Sequence, residues 1–172
     1  LARRRRIAAI NISLCFPGLD EGARRRLLRA NLHATVMGVF ELARGWLAPS
    51  SALPRTRYEG LEEVAATLAR GQGVFLLSSH FTPNEFSARL LAEQLGPKVR
   101  VVVRRNNSAC LEAELERARR RVFGPSLEKK DVRGLIRALH KGELVVTSGD
   151  QDFSYNHAFV PFFGIPAATL LG

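Results

Sequence analysis

Short apolar runs punctuate this chain at Val74-Phe75-Leu76-Leu77, at the valine-rich Val99 to Val103, and at Leu144-Val145-Val146-Thr147. Runs of that length, bounded by glycine or polar residues, predict buried strands of a parallel sheet, the first reaching Ser79. Between them the apolar spacing shifts to the helical period. Asn84 to Leu95 follows the first run, and Ser108 to Val122 follows the second with Asn107 or Ser108 as its cap. Asp131 to Lys141 precedes the third and stops at Gly142. Upstream, Leu27, Leu28, Leu32, Val36, Val39, Phe40 and Leu47 recur at helical spacing, which predicts a long helical region from Asp20 to about Leu47. Gly38 and Gly45 weaken it from within, and Pro49 and Pro54 close it into a linker. Leu61 to Arg70 is a further helix, entered near Gly60 and ended by Gly71-Gln72-Gly73. Phe159 to Phe163 is a candidate fourth strand. Alternating strands and helices predict an α/β fold, a mostly parallel, right-handed sheet flanked by helices with a helical N-terminal region. A chain of 172 residues can bury one sizeable core. Residues 1–55 are therefore expected to form a basic helical part of the same domain as an α/β core over residues 56–172.

Charge changes the picture. Lys+Arg 26 against Asp+Glu 16 gives a formal net charge of +10. Arg3-Arg4-Arg5-Arg6 opens the chain, and Arg24-Arg25-Arg26 with Arg29 follows Asp20-Glu21. Such clusters suit an anionic membrane surface, at roughly 1 kcal/mol per basic residue near the headgroups. A solvated charged face accounts for the same residues without any partner. Nucleic acid is not expected, because no helix-turn-helix, zinc-finger or aromatic RNA-binding pattern accompanies the charge. No apolar run approaches the roughly 18 residues that span a bilayer, and no secretory signal opens the chain. The start at Leu1 and the apolar close at Thr169-Leu170-Leu171-Gly172 are expected to be cut ends of a longer protein. Cys15 and Cys110 belong to no metal-binding spacing, so reduced, buried thiols and no metal site are expected.

The chemistry concentrates after the first strand, at His80-Phe81-Thr82-Pro83-Asn84-Glu85. Thr82 as N-cap, Pro83 at the first helical position and Glu85 three residues after the cap form a helix start. The imidazole then falls at the carboxyl end of a buried strand, the edge where open α/β sheets bind ligands. On one straight helix, residues five apart point about 140° away from each other. His80 and Glu85 can act as base and orienter only if the chain turns between them. A capping box from Glu85 to the Thr82 backbone amide is the plainer account of the acid. If the strands are parallel, their polar ends share an edge, bringing Arg104 and Asp150 to the crevice of His80. Arg104 suits a two-pronged contact with phosphate or carboxylate, or else faces solvent at a strand end. Asp150 and Asp152 suit sugar hydroxyls or arginine partners, or else form a turn. Arg117, Arg119, Arg120 and Arg121 crowd one helix, and most of them must face solvent. His33, His140 and His157 are poorer candidates, and no Gly-x-Ser-x-Gly elbow supports a serine hydrolase.

His80-x-x-x-x-Glu85 matches the HX4(D/E) signature of glycerolipid-type acyltransferases. In family order, Asn11 to Pro17, Val103 to Asn107, Lys130-Asp131-Val132-Arg133-Gly134, Asp150-Gln151-Asp152-Phe153 and Phe159 to Thr169 resemble the late acyltransferases of lipid A biosynthesis. The resemblance implies a glycerolipid-acyltransferase-like fold, a catalytic His80–Glu85 dyad, and no cofactor. It also implies that an arginine at Arg119 or Arg120 joins Arg104, Asp150 and Asp152 in binding substrate. The implied donor is an acyl-carrier-protein thioester, and the implied acceptor a hydroxyl of a Kdo-bearing lipid A precursor. The implied location is the cytoplasmic face of a bacterial inner membrane. Two other readings stand beside it: an HX4(D/E) acyltransferase for another glycerolipid or glycolipid, and a non-catalytic basic module on a membrane surface.

Overall fold

The computed structural model describes residues 2–81, 84–123, 125–150 and 157–170. Contacts divide the chain into two units, Leu1–Phe40 with Gly149–Gly172, and Glu41–Ser148.

The second unit contains the parallel sheet. Its strands are β1 (Val74–Ser78), β2 (Val99–Val103), the two-residue β3 (Leu127–Glu128) and β4 (Leu144–Ser148). They lie in the order β1-β4-β2-β3, and every pairing is parallel. The last strand in sequence thus slots between the first two. Its register aligns Ser78 with Ser148 and Val101 with Val146, so the carboxyl ends of β1, β4 and β2 share one edge. Arg100 of β2 fastens this arrangement by a two-pronged bond to Glu143, 2.9 Å at each nitrogen. That hydrogen bond raises the Arg100 pKa above its ordinary value, against the opposing pull of desolvation.

Helix α3 (Leu61–Ala69) leads into β1, and α4 (Asn84–Leu95), α5 (Ala109–Arg120) and α6 (Val132–His140) connect the strands. The core joins Leu68 of α3, Ala88 and Ala92 of α4, Val99 and Val101 of β2, Leu144 of β4 and Phe123. Local chemistry sets the helix ends. Ser108, not Asn107, caps α5 by accepting from the Leu111 amide. Asp131 caps α6 by accepting from Gly134 N at 2.8 Å, which gives the Lys130-to-Gly134 motif a structural role. The α5 helix ends two residues earlier than its apolar spacing suggests. The Val122 and Phe123 amides both turn back to the Arg119 carbonyl, and Phe123 becomes one of the most deeply buried side chains. At the sheet edge where β1 begins, a Cβ on Gly73 would stand 2.2 Å from the Leu139 carbonyl oxygen. Only glycine lets the chain enter β1 there.

The helix α2 (Glu21–Leu47) runs through Gly38 and Gly45 unbroken, as the apolar spacing predicts. Gly45 is where its last turn meets α4: a Cβ there would lie 3.0 Å from Phe86 Cδ2.

In the first unit, α1 (Ala2–Cys15) is a helix that the apolar spacing does not announce. Arg3 to Arg6 are exposed along it. Asp20 caps α2, accepting from Ala23 N at 2.7 Å. Phe159 to Phe163 is strand in part, but the fourth strand of the parallel sheet is β3 instead. β5 (His157–Phe162) pairs antiparallel with β6 (Ile165–Leu170) in a separate two-stranded sheet. Phe163 and Gly164 make the tight turn, with φ of 51° and 74°, the two positive values that a type I′ hairpin turn needs. Pro161 faces Pro166, one pair beyond the closing pair, where neither proline owes the ladder an N–H.

Candidate active site

His80 lies two residues beyond β1 and is exposed. The Phe81 amide donates to the Ser79 carbonyl at 2.8 Å, which puts the imidazole at the apex of a three-residue turn. The turn is centred on His80 itself, between Ser79 and Phe81. Asn84, the first residue of α4, reaches across to the end of β4, donating from Nδ2 to Ser148 Oγ at 3.2 Å. This bond ties the start of the helix to the sheet edge.

Glu85 occupies the first turn of α4, and its carboxylate is gripped by side chains from far along the chain. Arg119 Nη2 donates to Oε1 at 2.7 Å and Arg119 Nε to Oε2 at 3.3 Å. Trp46 Nε1 donates to Oε2 at 2.8 Å. The Arg119 side chain is 6% exposed and that of Glu85 26%, so the pair is largely withdrawn from water. The Arg119 guanidinium also stands over the Trp46 ring, 6.0 Å from its centroid. Its remaining nitrogen, Nη1, is buried 3.9 Å from Glu112 Oε1 and has no hydrogen-bond partner among the described residues. Thr82 and Pro83, which the capping-box account requires, lie outside the described residues.

The two candidate arginines separate. Arg119 is buried on Glu85, whereas Arg120 is exposed and pairs with Glu116 at 2.8 Å on its own helix. Neighbours on a helix point about 100° apart, so only one of them can face α4. Arg120 instead borders a cavity of about 510 Å³, together with Arg105, Asn107, Glu112 and Glu128. Arg104 follows β2 directly at the same sheet edge as His80, exposed, with Nη2 3.5 Å from Asn107 Oδ1. Asp150 is exposed and belongs to the first unit, and Asp152 lies outside the described residues. His157 sits on β5, edge-on to Phe159 at 5.5 Å.

Trp46 and Asn84 are the residues that sequence reasoning missed. Trp46 reads as core or membrane-contacting, and only its position at the end of an apolar helix beside Gly45 marks it out. One thiol departs from expectation: Cys110 is exposed on α5, while Cys15 is half-buried. Among the described residues, no cluster of three metal-ligating side chains occurs. No helix among them is long and apolar enough to cross a membrane.

The family model described as bacterial lipid A biosynthesis acyltransferase matches residues 1–172. The lipid A biosynthesis lauroyltransferase of Escherichia coli K12 is 33% identical over all of this chain and 56% of its own length. A lipid A biosynthesis acyltransferase of Haemophilus influenzae is 32% identical, over 95% of this chain and 52% of the relative. The lipid A biosynthesis myristoyltransferase of E. coli K12 is 30% identical, over 96% of this chain and 52% of the relative. The chain thus spans about half the length of the curated relatives it matches.

Proposed function

This chain belongs to the bacterial lipid A biosynthesis acyltransferase family, and we propose on that premise that it moves a fatty acyl group from a thioester to a lipid A precursor hydroxyl. The observation that carries the reading is the Glu85 carboxylate, fixed in the first turn of α4 by Arg119, next to a turn that presents His80. His80, neutral, takes the proton of the acceptor hydroxyl. The oxygen attacks the thioester carbonyl, the C–S bond breaks, and the departing sulfur takes the proton from the imidazolium. These steps balance without a metal ion or a redox cofactor. Arg119 Nη2, Arg119 Nε and Trp46 Nε1 engage three of the roughly four lone-pair sites of the Glu85 carboxylate. The imidazole N–H of His80 is proposed to take the fourth, which fixes the tautomer that can accept a proton.

Arg104, Asp150 and Asp152 are proposed to bind the acceptor, whose phosphates and sugar groups suit an arginine and carboxylates respectively. Arg119 serves the acid rather than the lipid, and Arg120 has no assigned part in the reaction. The donor is proposed to be acyl carrier protein, an acidic partner that a net charge of +10 would steer inward. The acceptor is proposed to carry Kdo, and the site to work at the cytoplasmic face of the inner membrane. Supporting the last point are the exposed arginines of α1 and the family itself. The test is acyl transfer by the native protein from a carrier-protein thioester to a Kdo-bearing lipid A precursor, against lysophosphatidate as acceptor. Preference for lysophosphatidate would move the chain to another substrate class, and transfer to neither would end the reading.

A further inference from the structure

The lone tryptophan of the sequence stands with its indole on the acid of the dyad motif. We propose that Trp46 is a positioning residue for Glu85, an inference that rests on the acyl-transfer reading above. Three observations support it. The indole N–H, half-buried, satisfies itself on a carboxylate instead of a backbone carbonyl, which makes the bond charge-assisted and directional. It takes Oε2 while Arg119 Nη2 takes Oε1, so the two donors together hold the carboxylate in one plane and one rotamer.

The third observation is that the last turn of α2 is itself clamped to α4. Gly45 has Phe86 of α4 where a Cβ would stand. Arg89, 8% exposed, donates to the Gly45 carbonyl at 3.4 Å, to Ser50 Oγ at 3.2 Å and to Glu93 Oε1 at 2.7 Å. This buried guanidinium ties the end of α2, the turn after it and α4 into one block. The backbone that carries the indole is thereby held against α4. A tryptophan that merely filled space would not need such fastening, nor would its N–H need this acceptor.

The test has two independent readouts. Because the sequence holds a single tryptophan, a ¹H–¹⁵N spectrum shows one indole cross-peak from these residues. Glu85→Gln is expected to move that peak, and Glu59→Gln, on an exposed ion pair with Arg57, to leave it in place. Trp46→Phe keeps the aromatic bulk and removes only the donor. It is expected to lower kcat about ten-fold, the effect of one hydrogen bond to a charged group, with the donor KM nearly unchanged and the fold retained. In a Glu85→Gln background the same substitution should add less than about two-fold, since the two residues act as a unit. An indole peak indifferent to Glu85→Gln, or a Trp46→Phe loss that is absent or fully additive with Glu85→Gln, overturns the proposal. A wild-type protein without acyl transfer would sink the functional reading, and the indole peak would still decide whether Trp46 holds Glu85.

Discussion

At Glu85, donors from positions 39 residues before it and 34 residues after it meet on one carboxylate. This makes the two halves of the dyad unequal in what they do for the fold. His80 is exposed at the tip of a turn, so His80→Ala should cost less stability than a change at the more buried Glu85. The same change should cut acyl transfer by about 10²- to 10⁴-fold, the usual worth of a general base. Glu85 faces a buried guanidinium. Glu85→Gln keeps an acceptor oxygen but removes the charge opposite Arg119, and should cost about 1–3 kcal/mol in denaturant unfolding while leaving residual activity. Were Glu85 only a helix cap, glutamine would preserve both stability and rate, and parallel unfolding and rate measurements separate the two accounts. Arg104 offers a different experiment, since it is exposed beside Asn107 at that edge. Arg104→Ala is expected to raise the acceptor KM more than the donor KM, and Arg104→Lys to rescue poorly if the contact is two-pronged. Unchanged use of the lipid acceptor would remove Arg104 from the site.

Among the elements, α4 is the organiser. Its first turn carries Asn84, Glu85 and Phe86, the last packed on Gly45 of α2, its second ties Arg89 to the end of α2, and its third puts Ala92 into the core. A helix fastened in this way can present an acid to a sheet edge with little freedom. The opposite edge is tight for another reason: the chain enters β1 past the end of α6 with no space for a side chain. Gly73→Ala would drive a methyl group into the Leu139 carbonyl. Overpacking of that kind costs about 1–3 kcal/mol, so a clearly lowered unfolding midpoint is expected, and a midpoint equal to the parent's would mean that the backbone yields there. Most of these helices were legible beforehand. Asp131, Ser108 and Gly142 act within three or four residues of themselves, and such short-range chemistry is written in the order of residues. The α1 helix was not, because Arg3 to Arg6 followed by mixed small and apolar residues has no apolar stripe to read.

For the molecule as a whole, charge is the property with the longest reach. The exposed arginines at positions 3–6 stand on α1 and extend beyond any single site. Near an anionic surface each contributes roughly 1 kcal/mol, decaying over a Debye length of about 8 Å at physiological salt. Replacing Arg3 to Arg6 by glutamine should therefore weaken co-sedimentation with anionic vesicles, and added salt should do the same to the parent protein. Vesicle binding that ignores both changes would mean that the cluster is a solvated face and that another part of the molecule holds any membrane.

By itself, the sequence determined β1, β2 and β4, most of the helices with their caps, the polar strand ends, and the ordered motifs that mark the family. All of these depend on neighbours in the chain, on a period of two or 3.6 residues, or on one glycine or proline. The tertiary structure alone decided which of two adjacent arginines meets the acid, because a rotation of about 100° separates them and only packing sets the helix phase. It also decided that β4 runs between β1 and β2, that the phenylalanine-rich segment folds into its own hairpin, and that Trp46 and Arg89 close around the start of α4. Those contacts join residues tens of positions apart. Their free energy comes from burial and charge pairing that exist only once the chain has closed on itself, so no local pattern records them.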